Sequence, residues 1–269
     1  MNERDPLALL NLAQELIDET DALLEHAFAG PSEVSLRADA TDVTETDRAV
    51  ESLLRSRLAE RFPGHGFIGE EYGPEEGAGD ARWIIDPIDG TANFARGVPV
   101  FGTLLALERE GELVLGVVSA SALGQRWWAT AGGGAYTRVR GRERPIHVSD
   151  ISRLDQAQLL FGTLRSIDAN GRLPGWLAAL RGSWRDRGFG DFWGHMLVAQ
   201  GSAEAMLDES GVKVWDLAAP AIIRGEAGGR MTDLVGRASY AGPEALSSNG
   251  PLHDQLLAVL AERSVARRE

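Results

Sequence analysis

Two carboxylates stand at positions 86 and 89 in the run Asp86-Pro87-Ile88-Asp89-Gly90-Thr91, directly after the apolar stretch Trp83-Ile84-Ile85. A surface turn accounts for part of this: proline sets φ, aspartate tolerates turn geometry and glycine permits positive φ. It does not account for a strand of buried type that delivers two anions into one bend. Their mutual repulsion has to be offset by cations, and hard cations on carboxylate oxygen are the simplest chemistry for that spacing.

Composition narrows the choice of cation and partner. There is no cysteine, so thiolate zinc sites, iron–sulfur clusters, disulfides and cysteine nucleophiles are all excluded, and any metal must sit on oxygen or histidine. A net charge of -13, from 40 acids against 27 bases, argues against nucleic acid or an anionic membrane as the main partner. If the substrate is itself an anion such as a phosphate, metal ions rather than a basic patch must attract it, which favours Mg²⁺. The chain has no apolar run of about 18 residues, and its first residues lack the basic and apolar segments of a signal peptide, so a cytoplasmic protein is expected.

The elements that must position the acids follow from the apolar periodicity. Asp5-Pro6 reads as a helix start, with Leu9, Leu12, Leu16 and Leu23 on one face until Gly30-Pro31. A polar loop from Arg37 to Thr44 leads into a second helix with Val50, Leu53, Leu54 and Leu58 as its apolar face and Asp47 in its first turn. There Asp47 also suits the helix dipole. Phe67-Ile68 reads as a short strand that delivers Gly69-Glu70-Glu71. Glu70 is the acid closest to it, whereas Glu71, Glu75 and Glu76 read as solvated charge. Val98 to Leu107 and Leu113 to Val118 form a hairpin through Glu110-Gly111, and Arg126 to Thr130 continues the sheet. Gly132-Gly133-Gly134 lacks the lysine and strand-to-helix setting of a phosphate loop and reads as a turn.

The basic, turn-rich stretch from Arg138 to Pro145 is the expected boundary between an N-terminal α+β domain over 1–140 and a C-terminal α/β domain over 141–269. In the second half, Leu159 to Phe161 and Ala205 to Leu207 read as strands. Asp191 to Gln200 and Trp215 to Ala227 read as helices, the latter ended by Gly228-Gly229. Asp216 opens that helix beside Trp215, a position that a helix cap also explains.

Read together and in order, Val43-Thr44 with Asp47, Gly69-Glu70-Glu71, the Asp86 to Thr91 block continued by Asn93-Phe94, and Trp215-Asp216 followed by Gly225-Glu226-Ala227-Gly228-Gly229 resemble the signatures of the inositol monophosphatase superfamily. The chain departs from that pattern at Asp42, where proline is usual, and at Arg37, where lysine is commoner. The resemblance implies a layered αβαβα sandwich of the inositol monophosphatase and fructose-1,6-bisphosphatase type, and a lithium-sensitive, Mg²⁺-dependent phosphomonoesterase that is usually a homodimer. By it, Glu70, Asp86 and the Ile88 carbonyl hold one Mg²⁺. Asp86, Asp89 and Asp216 hold a second, and Glu70 binds a weaker third. It also implies that Thr91 hydrogen-bonds the attacking water with Asp47 behind it as base or water-orienter, and the Gly90 and Thr91 amides, at the start of a short helix, can bind phosphate oxygens as helix N-termini do. The Asp-x-Asp of the haloacid-dehalogenase phosphatases and the alternating acids of an EF-hand are both missing.

The leaving group is addressed by Arg187-Gly188-Phe189-Gly190-Asp191-Phe192-Trp193-Gly194, where inositol phosphatases usually carry small residues. Asp191, together with Glu209 seven residues before Asp216, places two acids where the alcohol lies in the family, which suits a cationic ester. Gly-Asp-x-x-Gly resembles the histidinol-phosphatase branch, and L-histidinol phosphate carries an ammonium and an imidazole. Asp191 as a plain helix cap, inositol-1-phosphate or another sugar phosphate as the ester, and a catalytically weak metal- or nucleotide-binding regulator are the alternatives.

Overall fold

The computed structural model describes residues 5–29, 45–209 and 211–261, and the chain divides into two compact units, Met1–Pro145 and Ile146–Glu269. The departures at Arg37 and Asp42, the Val43-Thr44 pair and the Gly30-Pro31 stop lie outside the described residues.

The first unit is a mixed eight-stranded sheet with two long helices on it. The helices are α1 (Pro6–Phe28) and α2 (Glu45–Arg61). The strands are β1 (Gly66–Gly69), β2 (Gly73–Glu75), β3 (Ala81–Asp89), β4 (Gly102–Arg109), β5 (Glu112–Ala120), β6 (Gln125–Thr130), β7 (Gly134–Val139) and β8 (Arg142–Pro145), with a short helix α3 (Thr91–Ala95) after β3. Their order across the sheet is β2-β1-β3-β4-β5-β6-β7-β8, and only the β1–β3 pair is parallel. Asp5 accepts the Leu7 amide at 3.1 Å and Pro6 follows it, so α1 starts on a side-chain cap and a preset φ. Leu9, Leu16 and Ile17 of α1 and Val50, Leu54 and Leu58 of α2 bury against Trp83, Ile85, Leu105, Leu107 and Val117. The intervening residues Ile84, Leu104, Ala106 and Val118 are buried as well. That accounts for the nearly unbroken apolar runs of β3 to β5. Arg138 to Pro145, read as the boundary stretch, pairs as the β7–β8 hairpin at the sheet edge, and the two units divide after Pro145.

The second unit is a five-stranded sheet of β9 (Gln158–Phe161), β10 (Arg185–Arg187), β11 (Ala205–Asp208), β12 (Arg230–Thr232) and β13 (Ala245–Ser248), in the order β10-β9-β11-β13-β12. The first three strands are parallel and β13 is antiparallel to both its neighbours. Helices α4 (Leu164–Ala169), α5 (Leu173–Gly182), α6 (Asp191–Ala199), α7 (Val214–Glu226) and α8 (His253–Ala261) complete the unit. Adjacent strand residues face opposite sides. Leu159 and Leu207 bury in a core with Trp176 of α5 and Leu256 and Leu260 of α8, whereas Leu160 and Met206 bury with Val198 of α6. Helices therefore cover both faces of this sheet. Mixed sheets carrying helices are the α+β class that the resemblance implies, and no described helix is long and apolar enough to cross a membrane.

Candidate active site

The acids of the first unit converge because β3 is longer than its apolar run. The turn expected after Ile85 is still strand, and β3 continues through Asp89 with a bulge opposite β4, where Asp86 faces Leu104 and Asp89 faces Gly102. Proline cannot donate to a ladder, so Pro87 belongs at such a bulge. Its carbonyl accepts the buried Thr103 hydroxyl at 2.8 Å, which pins the irregular segment. Asp86 is buried and Asp89 is half-buried, and each brings a carboxylate oxygen to within 4.8 Å of the other.

Gly90 ends the strand with φ 86°, and an added Cβ there would meet the Val100 carbonyl at 3.0 Å, so only glycine makes this turn without strain. Its carbonyl accepts the amides of Asn93 at 2.8 Å and Phe94 at 3.0 Å, which starts α3 at Thr91. The first amides of that helix have no acceptor within it and carry partial positive charge. The Thr91 hydroxyl lies 2.8 Å from the Ile88 carbonyl oxygen and 3.4 Å from Asp47 Oδ1. Asp47 is buried in the first turn of α2, where a solvated dipole partner would not be.

Glu70 follows β1, exposed, with its amide on the Ile85 carbonyl at 3.3 Å, one residue before Asp86. Glu71 differs from expectation. Its side chain is 5% exposed and pairs with Arg48 at 3.5 Å, and burial, then the charge of Asp47, push its carboxyl above the usual range. Two neighbours on α2 were not singled out by the sequence: Glu51, fully buried, and Arg55, 2.8 Å from it. Their signal was the four-residue spacing Asp47, Glu51, Arg55 along one helical face.

In the second unit Asp191 is the first residue of α6, with Gly190 as the cap residue and no side-chain capping bond. Asp191 adopts φ 57°, which aspartate tolerates better than most residues but at a cost. Its carboxyl is pushed up to about 6 by burial, then by the charges of Asp208 and Asp216, with His195 acting the other way. Among the described residues it accepts no hydrogen bond and joins no ion pair. Phe189 and Trp193, two residues to either side, pack with ring centroids 4.7 Å apart. His195, one turn along α6, is buried with Nδ1 2.8 Å from the Ser247 hydroxyl and Nε2 3.8 Å from Asp208.

Glu209 lies elsewhere in chemical terms. Its side chain is fully buried and held 2.7 Å from Arg172 Nε, and Arg172 also reaches the Leu260 carbonyl and Glu244. A carboxylate matched by a buried guanidinium is a weaker acceptor for a substrate cation than the sequence suggested. Asp216 is the third residue of α7, half-buried, and accepts the Lys213 amide at 2.5 Å, so the capping chemistry expected for an acid at this point is present.

The sequence profile of the inositol monophosphatase family matches residues 5–266. A histidinol-phosphatase of Streptomyces coelicolor is 44% identical over 265 residues, 96% of this chain and 99% of that protein. A histidinol-phosphatase of Mycobacterium tuberculosis is 43% identical, over 92% of this chain and 96% of the relative. Among solved structures, an IMPase of Thermotoga maritima superposes with a TM-score of 0.83 at 30% identity, covering 95% of this chain and 97% of that one. The family match and the histidinol-phosphatase relatives make the chain a phosphoric monoester hydrolase. The chain belongs to the inositol monophosphatase family.

Proposed function

We propose that this protein hydrolyses L-histidinol phosphate to L-histidinol and phosphate in a Mg²⁺-dependent reaction. Asp191 carries the choice of ester: a strained, partly buried acid that feels the charges of Asp208 and Asp216 and joins no ion pair among the described residues suits the substrate's ammonium group. The Phe189–Trp193 pair beside it offers π surface to an imidazole. The relatives named above, histidinol-phosphatases at 43–44% identity, support the same ester.

The donor set fits a hard divalent cation, because every side chain in it is a carboxylate and the chain has no thiol. Glu70, Asp86 and the Ile88 carbonyl would hold one Mg²⁺, and Asp86, Asp89 and Asp216 another. When bound, the metal supplies Lewis acidity, lowering the pKa of a water and balancing charge on the phosphate and the leaving oxygen. The chain's own residues do the rest. The Thr91 hydroxyl has one proton and two acceptors, the Ile88 carbonyl and Asp47. Donating to Asp47, it turns its lone pairs toward an attacking water, orients it, and gives its proton a route to the buried carboxylate. The amides of Gly90 and Thr91 bind the phosphate oxygens, and Asp191 holds the alcohol end in register for in-line attack. No covalent intermediate on the enzyme is required.

Phosphate release from L-histidinol phosphate and from inositol-1-phosphate, each with Mg²⁺ and with chelator, tests the proposal. Histidinol phosphate is expected to be the better substrate and both reactions to stop without metal. Equal or faster turnover of inositol-1-phosphate overturns the choice of ester, and no turnover of any ester favours a metal-binding regulator. The enzyme in this reading is a cytoplasmic homodimer, for which sedimentation of the purified protein is the check.

A further inference from the structure

We propose that the buried pair Glu51–Arg55 on α2 is a positioning device for the Gly69 to Gly73 turn, and through it for the Glu70 carboxylate. The inference rests on the metal role proposed for Glu70. Glu51 is fully buried, and both its oxygens are committed to this turn and to Arg55. Oε2 accepts the Glu71 amide at 2.8 Å, while Oε1 takes Arg55 Nε at 2.8 Å and the Tyr72 amide at 3.4 Å.

Arg55 continues the grip on the far side. It donates to the Gly73 carbonyl and, at 3.2 Å, to Glu75, with its guanidinium over the rings of Phe67 and Tyr72. Gly69 shows how closely the turn is seated, since a Cβ at that position would run into the Glu51 carboxylate. The carboxylate fills the space that a side chain would take, which is a physical reason for glycine immediately before Glu70.

Glu70 is thereby clamped on both sides. Its own amide is tied to Ile85 of β3, beside Asp86, and the next two amides are tied to α2, one turn from Asp47. An exposed glutamate side chain on an untethered turn would lose rotational and backbone freedom on binding a cation. Here the backbone part of that ordering is complete before the cation arrives. Partners that orient a ligating side chain usually matter to metal affinity by about 10- to 100-fold.

Glu51→Gln keeps the shape and one acceptor oxygen but loses the charge that holds Arg55. It is expected to weaken Mn²⁺ binding, read by electron paramagnetic resonance without substrate, by about tenfold or more. The Mg²⁺ concentration for half-maximal activity should rise in parallel, KM at saturating Mg²⁺ should stay within about twofold, and excess Mg²⁺ should restore the rate. In the wild-type protein the Glu71 and Tyr72 amides should exchange slowly with deuterium, and in the variant faster. A folded Glu51→Gln protein with wild-type Mn²⁺ affinity overturns the inference, as does fast exchange of both amides in the wild type. If Glu51→Gln does not fold, Gly69→Ala presses on the same contact from the turn, and unchanged Mn²⁺ affinity there overturns it equally. A wild-type protein that binds Mn²⁺ but leaves histidinol phosphate intact refutes the choice of ester, while the Mn²⁺ comparison still decides the role of Glu51.

Discussion

Replacing Asp191 with Asn removes a charge from the start of α6 while keeping its volume and its tolerance of φ 57°. An ammonium about 4 Å from the carboxylate gains roughly 4 kcal/mol at an effective dielectric constant of about 20, which is an upper bound. Hydrogen bonds to charged groups measured by mutation contribute about 1.5–3 kcal/mol, and the half-exposed position favours the lower end. About 1.5–2 kcal/mol corresponds to a rise of roughly 10- to 30-fold in KM for L-histidinol phosphate. Inositol-1-phosphate has no cation to lose, so its KM should change by less than about twofold, with kcat similar for both esters. Stability should not fall, because the substitution relieves the repulsion from Asp208 and Asp216 that pushes the Asp191 carboxyl up. Steady-state kinetics on the two esters with a melting curve of each protein is the assay. An equal change in KM for both esters, or a marked loss of stability, refutes the reasoning and makes Asp191 a structural residue of α6.

Three further outcomes follow from the same contacts. Asp89→Asn removes a half-exposed carboxylate from the β3 end and should abolish turnover of every ester with little change in melting temperature; retained activity on either ester contradicts its role. Arg172→Met leaves Glu209 buried without its counter-charge and should cost about 3–5 kcal/mol in urea unfolding, with a loss under about 1 kcal/mol counting against the pair. His253 is buried between the hydroxyls of Ser248 and Thr232, and burial, then Arg230, lower its pKa to about 4 from 6.5. The folded protein therefore binds this proton less well than the unfolded chain, and stability should fall as pH drops from about 6.5 toward about 4, by up to roughly 1.4 kcal/mol per pH unit. His253→Asn should flatten that part of the urea-midpoint profile, and an unchanged slope argues against His253 as its source.

Much of the fold was legible because its long elements carry strong local patterns. The α1 leucines, the cap at Asp5-Pro6, and the β4–β5 hairpin through Glu110 and Gly111, both at positive φ, were readable from periodicity and turn chemistry. The elements not anticipated are short. Helix α4 and strands β10, β12 and β13 span too few residues for a period to stand out, and β13 is held through Leu246, which buries with Trp176 of α5 and Leu207. Glu71 reads as a surface glutamate in the sequence, Glu51 carries no motif, and Glu209 reads as a contact for the alcohol. Each is buried against arginine or backbone amides contributed by residues up to dozens of positions away.

By itself, the sequence determined the kind of chemistry: no thiol donor, and two carboxylates at a strand end beside a glycine and a threonine. Donor type and short spacing are local properties of a chain, and the absence of cysteine is a matter of composition. Only the tertiary structure decided what each acid meets. Asp47 meets Thr91 across 44 positions, Glu51 holds the turn that carries Glu70, Glu209 is neutralised by Arg172, and Asp191 joins no ion pair among the described residues. A carboxylate is the same group in every sequence position, and packing decides whether it meets an arginine, an amide, a hydroxyl or another carboxylate.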